Sequence, residues 1–313
     1  MTTDRPFLGV MLMLCFCILA PLGDSIAKLL GGTVVLMMLL FARFAVQAVM
    51  LLPIVAVSGQ GLRLPRTLWL WTLVRTVLHI LGIGLMFSAL RYLPLADALA
   101  IAFVMPFIML ILGHFAMGEE VGLHRMVACA VGFFGTLLVI QPNFVAVGYP
   151  ALLPLGVALV FALFMMVTRK VARAVDPVKL QAISGVQASV IILAVYLTFP
   201  TATGTVLFRY DGATWGLLAA LGVLGTFAHL FMTWSLRFAP ASTLAPMQYL
   251  EIPIGTAIGW IVFSDLPNGL AATGIFITVG AGLYVILRER QLSLQAPDAR
   301  AAGSPEQARP FQP

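Results

Sequence analysis

Charge is scarce in this sequence: 10% of its 313 residues are Asp, Glu, Lys or Arg, against 61% hydrophobic. A chain so poor in charge, with a mean hydropathy of +1.04, could not keep a soluble domain dispersed, so lipid is the solvent for most of it. Cysteine is nearly missing as well. Cys15, Cys17 and Cys129 form an odd set inside apolar stretches with no paired spacing, which argues against a disulfide framework and a zinc site. They read as small apolar filler. No Gly-x-x-x-x-Gly-Lys-Ser/Thr run occurs, so ATP is not the direct driver of any process here. Neither His-Glu-x-x-His nor Gly-x-Ser-x-Gly occurs, which counts against a membrane-embedded enzyme. No cofactor is expected.

What is present is apolar length. Hydropathy and turn residues divide the chain into spans at about 7–29, 33–57, 69–90, 95–117, 123–141, 151–171, 179–200, 214–236, 241–263 and 270–288. The first run is too long for a signal peptide, and polar Asp24, Ser25 and Lys28 follow it without a cleavage site. After Gln291 the composition turns to Ala, Pro, Gln, Ser and Arg, and residues 291–313 read as a disordered cytoplasmic tail. The net charge of +6 gathers at span ends, so it reads as membrane topology and not as a nucleic-acid surface. Eleven basic residues, from Arg5 and Arg63 to Arg288 and Arg290, fall on one side of the ten spans, and Lys28, Arg91 and Arg209 on the other. That asymmetry predicts a multi-pass inner-membrane protein with both termini cytoplasmic.

An internal repeat is legible. Leu90-Arg91-Tyr92-Leu93-Pro94 matches Leu236-Arg237-Phe238-Ala239-Pro240 at an offset of 237 − 91 = 146 residues. Glu119 falls opposite Asp265, and Leu137-Leu138-Val139-Ile140 opposite Leu283-Tyr284-Val285-Ile286, at the same offset. With five spans in each half, Arg91 and Arg237 lie on opposite sides, so the halves are inverted copies, as in alternating-access carriers. The expected fold class is an all-α membrane protein of ten transmembrane helices in two inverted five-helix repeats, residues 1–146 and 147–290. Pro106 and Pro253 interrupt the fourth and ninth spans at nearly matched places, which points to a midplane site.

The run from Leu90-Arg91-Tyr92-Leu93-Pro94-Leu95-Ala96-Asp97-Ala98 through Pro106 to Gly118-Glu119-Glu120, followed by Gly132-Phe133-Phe134-Gly135, resembles the drug/metabolite transporter superfamily in its ten-helix EamA branch. The resemblance covers residues 7 to 290. It implies transport of a small organic metabolite, such as riboflavin, S-adenosylmethionine or an amino acid, and identifies the scaffold without the cargo.

Intramembrane ionisable groups carry the site expectations, because each costs roughly 2.5–3.5 kcal/mol near the bilayer centre on insertion scales. Glu251 in the ninth span, between Gln248-Tyr249 and Pro253, is the first candidate, for a cationic part of the substrate or a coupling proton. Its structural alternative is an interhelical ion pair. Arg75 and His79 share a helix face four residues apart and are expected to line the cavity, with His229 as a secondary candidate. Asp24, Lys28 and Arg43 read first as a charge network clamping the first two helices, and second as an outer gate. Asp97 reads as a helix-start carboxylate, His114 as packing, and Glu119 and Glu120 as loop charges. The Gly255/Gly259 and Gly132/Gly135 pairs allow close helix packing. A secondary carrier is the leading reading, ahead of a channel-like facilitator and far ahead of an enzyme. The expected partners are a small metabolite and the bilayer, with protons as candidate coupling ion and a homodimer as candidate assembly.

Overall fold

An apolar run in lipid has no water to satisfy its N–H and C=O groups, and the helix satisfies them within the run. A computed structural model of the chain describes residues 6–59, 61–105, 107–108, 112, 123–199, 210–239, 244 and 248–295. Among these residues there is no strand. The helices are α1 (Pro6–Leu30), α2 (Leu36–Val57), α3 (Arg66–Ala89), α4 (Leu95–Ala102), α5 (Leu123–Val147), α6 (Leu153–Ala172), α7 (Pro177–Thr198), α8 (Gly212–Phe238), α9 (Glu251–Phe263) and α10 (Gly269–Gln295). Among the described residues, seven helical stretches are long and apolar enough to cross a bilayer. The chain is an all-α, multi-pass membrane protein.

The fourth and ninth segments are interrupted, as the prolines in those spans lead one to expect. α4 ends at Ala102, and Phe103 and Val104 turn before helix resumes at Met105; the ninth segment turns at Tyr249 and Leu250 before α9 begins. Pro253 supplies a reason for the second break. It has no N–H for the Tyr249 carbonyl, which accepts instead from Ile252 N at 3.2 Å. Pro106, His114, Glu119 and Glu120 lie outside the described residues. The two turns are 249 − 103 = 146 residues apart, and the Phe103 and Tyr249 rings meet with centroids 5.3 Å apart. α3 and α8 begin 212 − 66 = 146 residues apart, and α5 and α10 begin 269 − 123 = 146 apart. α10 continues to Gln295, past the point where composition ends the apolar run; residues 296–313 lie outside the described residues.

Packing interleaves the two halves of the chain. α1 lies along α8 and α3 along α6, while α2 pairs with α7, α5 with α10 and α4 with α9. The terminal end of the bundle gathers the start of α1, the α2–α3 and α6–α7 loops and the end of α8. There Ser235 Oγ donates to Gly9 O at 2.6 Å, Lys179 Nζ to Arg63 O at 3.1 Å, and Arg237 pairs with Asp176 at 3.5 Å. The far end gathers the α1–α2, α3–α4 and α9–α10 loops, tied by Arg91 to Val34 O at 2.9 Å and Lys28 to Asp265 at 2.6 Å. Two helices entering from opposite ends are capped by aspartates. Asp176 accepts from Val178 N and Lys179 N ahead of Pro177, and Asp211 accepts from Thr214 N at 2.9 Å. Bonding to Thr214 holds the Asp211 carboxyl below its usual range.

Glycine allows a close approach of α5 and α10. A Cβ on Gly274 would overlap the carbonyl oxygen of Gly135, and one on Gly135 would meet Thr278 Oγ1 and Gly274 O. Gly274→Leu should therefore lower thermal stability in detergent by about 1–3 kcal/mol. An unchanged melting temperature would show that the two backbones need not touch.

Candidate functional site

A cavity of about 100 Å³ lies among α1, α2, α3, α6 and α8 and the two broken helices. Its wall is mostly apolar, with Phe16, Phe87, Phe103 and Phe161 among the lining residues. The charged and polar side chains on it are Asp24, Arg43, His229, Gln248 and Glu251. Two carboxylates thus share one low-dielectric space with one guanidinium.

Arg43 is buried on α2 and is held by the second half of the chain. Its guanidinium donates to Gln47 Oε1 at 3.0 Å, to Gly225 O at 2.6 Å and to His229 Nδ1 at 2.9 Å. Gly225 leaves the room for this approach, since a Cβ there would overlap the guanidinium. A guanidinium can only donate, so toward Arg43 the His229 Nδ1 is the acceptor, while the Gly225 carbonyl oxygen lies 3.2 Å from the same atom. The His229 Nε2 is buried without a partner among the described residues. Gln47 continues the chain of bonds by donating to Gln181 Oε1 at 3.0 Å, and Gln181 donates to His229 O and Thr233 Oγ1, both at 2.8 Å. Asp24 lies within electrostatic reach of Arg43 and Glu251.

Glu251 is 7% exposed and occupies the first turn of α9, where the helix N-terminus favours a negative group. Among the described residues nothing hydrogen-bonds or ion-pairs its carboxylate, so this geometry has no clamp of the kind weighed from sequence. Gln248, on the other side of the break, reaches Met165 Sδ at 3.7 Å with its amide nitrogen, while its Oε1 is unpartnered among the described residues. Tyr249 does not line the cavity. Its ring packs between Phe103 and Gly282, where a Cβ would overlap it.

Arg75 and His79 do share a face, yet neither lines the cavity in this conformation. They lie beyond its floor, toward the terminal end. Arg75 is fully buried and donates to three hydroxyls on three helices: Thr168 on α6 at 2.9 Å, Ser184 on α7 at 2.8 Å and Thr233 on α8 at 3.4 Å. Its remaining face lies over the Phe164 ring at 4.7 Å. The His79 ring sits 4.3 Å from His229, 4.6 Å from Phe164 and 5.0 Å from Phe44, with both nitrogens unpartnered among the described residues.

The expected trio of Asp24, Lys28 and Arg43 is divided. Lys28 turns to Asp265, which the spacing of Asp24 and Lys28 gave no reason to expect, while Asp24 and Arg43 face the cavity. Asp97 is buried and accepts from Asn143 Nδ2 at 2.9 Å, a bond to α5 in addition to its place at the start of α4. The hydroxyl cage and the Gln47–Gln181 pair were missed. Their only sequence signal is the presence of hydroxyl and amide residues inside otherwise apolar spans. Among the described residues no group of three His, Cys, Asp or Glu could hold a metal.

A helical bundle of interleaved halves, with a partly charged cavity at two helix breaks, defines a membrane transport protein. The chain matches the EamA-like transporter family twice, over residues 7–141 and 149–288, and belongs to that family. It is 29% identical to a riboflavin transporter of Rhizobium johnstonii over 73% of this chain and 74% of that one. It is 23% identical to an S-adenosylmethionine uptake transporter of Rickettsia prowazekii over 90% of this chain and 94% of that one. A pseudopaline exporter of Pseudomonas aeruginosa is 27% identical over 72% of this chain and 75% of its own. A solved crystal structure, 20% identical, superposes with a TM-score of 0.67 over 93% of this chain and all of its own, which is a likeness of fold. This chain is a transporter of a small metabolite.

Proposed function

We propose that the chain is a secondary, alternating-access carrier of a polar organic metabolite of the riboflavin, S-adenosylmethionine or amino-acid kind, and that it catalyses no reaction. The observation that carries this reading is the position of Glu251 and Gln248 on a charged cavity at one of two matched helix breaks. Broken helices at corresponding points of two repeats are where carriers bind their cargo. The two inverted halves are residues 1–146 and 147–290. The double family match, the recurrent 146-residue offset of helix starts, and the interleaved pairing of α1 with α8 and α3 with α6 support them. Arg43, Asp24, Glu251 and His229 offer contacts for cationic, anionic and aromatic groups, and protons are the candidate coupling ion.

The test is uptake of radiolabelled riboflavin, S-adenosylmethionine and amino acids into proteoliposomes. Carriage predicts saturable uptake of at least one, accelerated by unlabelled substrate preloaded on the opposite side. Flux that rises linearly with concentration and ignores preloading would point to a facilitator instead.

The chain lies in the inner membrane with both termini cytoplasmic in this proposal, as the basic residues at the terminal end require. In a background lacking Cys15, Cys17 and Cys129, Arg63→Cys and Arg173→Cys should react only from the cytoplasm, and Gly148→Cys and Gly212→Cys only from outside. External labelling of Arg173→Cys in intact cells would reverse the orientation.

A further inference from the structure

The cavity does not extend equally toward the two ends of the bundle. On α1 it is lined from Phe16 to Asp24 and on α3 from Gly82 to Phe87, the C-terminal parts of both helices; on α6 it is lined from Val157 to Phe161 and on α8 from Leu221 to His229. The α3 and α6 stretches lie in the half of the helix toward the far end, the α1 stretch runs from near mid-helix toward that end, and the α8 stretch is centred on mid-helix at Gly225. The half toward the terminal end is filled by the Arg75 cage and the rings of His79, Phe164 and Phe44.

The 146-residue offset relates the open stretches to the closed ones. Leu221 and Gly225 line the cavity, and their counterparts at 221 − 146 = 75 and 225 − 146 = 79 are Arg75 and His79. Gly82 and Ile83 have Ala228 and His229 as counterparts, and Ala102 and Met105 have Gln248 and Glu251; all eight of these line the cavity. Positions at the centre are therefore shared by both halves, whereas of those beyond it Leu221 and Gly225 line the cavity in one half and Arg75 and His79 are packed away from it in the other, all four being buried. In an inverted repeat the two halves exchange conformations when access alternates. The α3 positions then take over the surroundings that the α8 positions have in this structure.

We propose that Arg75, together with His79, forms a subsite for an anionic group of the transported metabolite, a carboxylate or phosphate, that is closed in this conformation and faces the cavity in the opposite one. This rests on the inverted-repeat carrier reading above. The chemistry follows from the partners of Arg75. Its bonds go to three neutral hydroxyls and no carboxylate of the described residues pairs with it, so a full positive charge is buried without a counter-ion of its own. Such a group is held in place while closed and takes an anion when a path opens, with bidentate geometry available on the guanidinium. His79, one turn away and with both ring nitrogens unpartnered among the described residues, supplies a second polar contact on the same face.

The exchange also sets what each opening offers. In this conformation the cavity presents Leu221 and Gly225 toward the far end, which are apolar; in the opposite one it presents a guanidinium and an imidazole toward the terminal end. Glu251 at the break faces both.

Thiol accessibility tests this without a known substrate. In a background lacking Cys15, Cys17 and Cys129, and in vesicles of known orientation, Ser184→Cys places a thiol beside Arg75 and Leu221→Cys places one at the counterpart position. Impermeant methanethiosulfonates carrying either a sulfonate or a trimethylammonium group are the probes. The Leu221→Cys thiol should react from the far side and the Ser184→Cys thiol from the terminal side only. At Ser184→Cys the sulfonate reagent should be favoured by about tenfold over its ratio on free cysteine, and Arg75→Gln should remove that preference. A Ser184→Cys thiol unreactive from both sides, with Leu221→Cys still reactive, would make the cage a fixed structural knot and overturn the proposal. Equal reagent ratios with and without Arg75→Gln would overturn the anion subsite. Failure of the uptake screen would count against the metabolite reading and leave these labelling results unaffected.

Discussion

Glu251→Gln should reduce transport by about tenfold or more, the scale of one lost charge-assisted contact of 1.5–3 kcal/mol, while the melting temperature in detergent stays unchanged. The amide keeps the shape and removes the charge. Stability is expected to hold because no hydrogen bond or ion pair of the described residues depends on that carboxylate, so no partner is stranded by the change. Transport is expected to fall because the group faces the cavity at the break between Gln248 and α9, opposite Asp24, Arg43 and His229. If Glu251 carries the coupling proton, the dependence of uptake on pH should also flatten, since glutamine cannot titrate. Uptake against pH and thermal unfolding, measured on the same preparation, separate the outcomes. Full uptake with an unaltered pH profile would remove Glu251 from the site, and a lowered melting temperature would assign it a structural role.

The second large effect is expected at Arg75, and there stability and function should part company. Arg75→Met removes a buried charge that has no counter-ion among the described residues and takes one bond from each of three neutral hydroxyls, opposing effects of about 1–3 kcal/mol that should leave the melting temperature little changed. Transport should nevertheless drop about tenfold or more, as for one lost charged contact. Arg75→Lys should fail nearly as far. An ammonium cannot spread donors across Thr168, Ser184 and Thr233 as the planar fork does, nor present a bidentate face to an anion. His79→Ala should weaken substrate affinity less, since its nitrogens have no partner among the described residues. Retention of wild-type transport by Arg75→Met would show that the guanidinium serves packing alone.

Some of this was readable before any coordinates. The 146-residue offset found at Arg91 and Arg237 recurs at the helix starts and at the Phe103 and Tyr249 turns, as the proposed repeat requires. Glu251 stood out because a carboxylate inside an apolar run has few tolerable surroundings, and a cavity is one of them. Pro253 likewise marked a weak point in its helix, although the turn falls at Tyr249 and Leu250, where the missing N–H leaves a carbonyl to be satisfied by other means.

Other features were beyond reach from spacing. Arg75 and His79 do lie on one helix face, as a four-residue separation requires, but facing a neighbour and facing a cavity look identical in one dimension. Lys28 is four residues from Asp24, yet its partner is Asp265, 237 residues away. Arg43 could be recognised as costly, but not as the donor to Gly225 O and His229 Nδ1 on α8.

The sequence by itself determined the solvent, the helical class, the family resemblance, the 146-residue offset and the short set of groups too costly to bury without purpose. These follow from transfer free energies and local periodicity, which are properties of a segment and survive without its neighbours. The tertiary structure alone decided which of those groups share a space: Asp24, Arg43, His229, Gln248 and Glu251 on the cavity, Arg75 and His79 behind its floor, Lys28 at the far end. That division depends on how α1 lies along α8 and α3 along α6. Such pairings between distant segments are set by packing at glycines such as Gly225 and Gly274 and by hydrogen bonds reaching across more than a hundred residues, and none of these leaves a periodic trace in the chain.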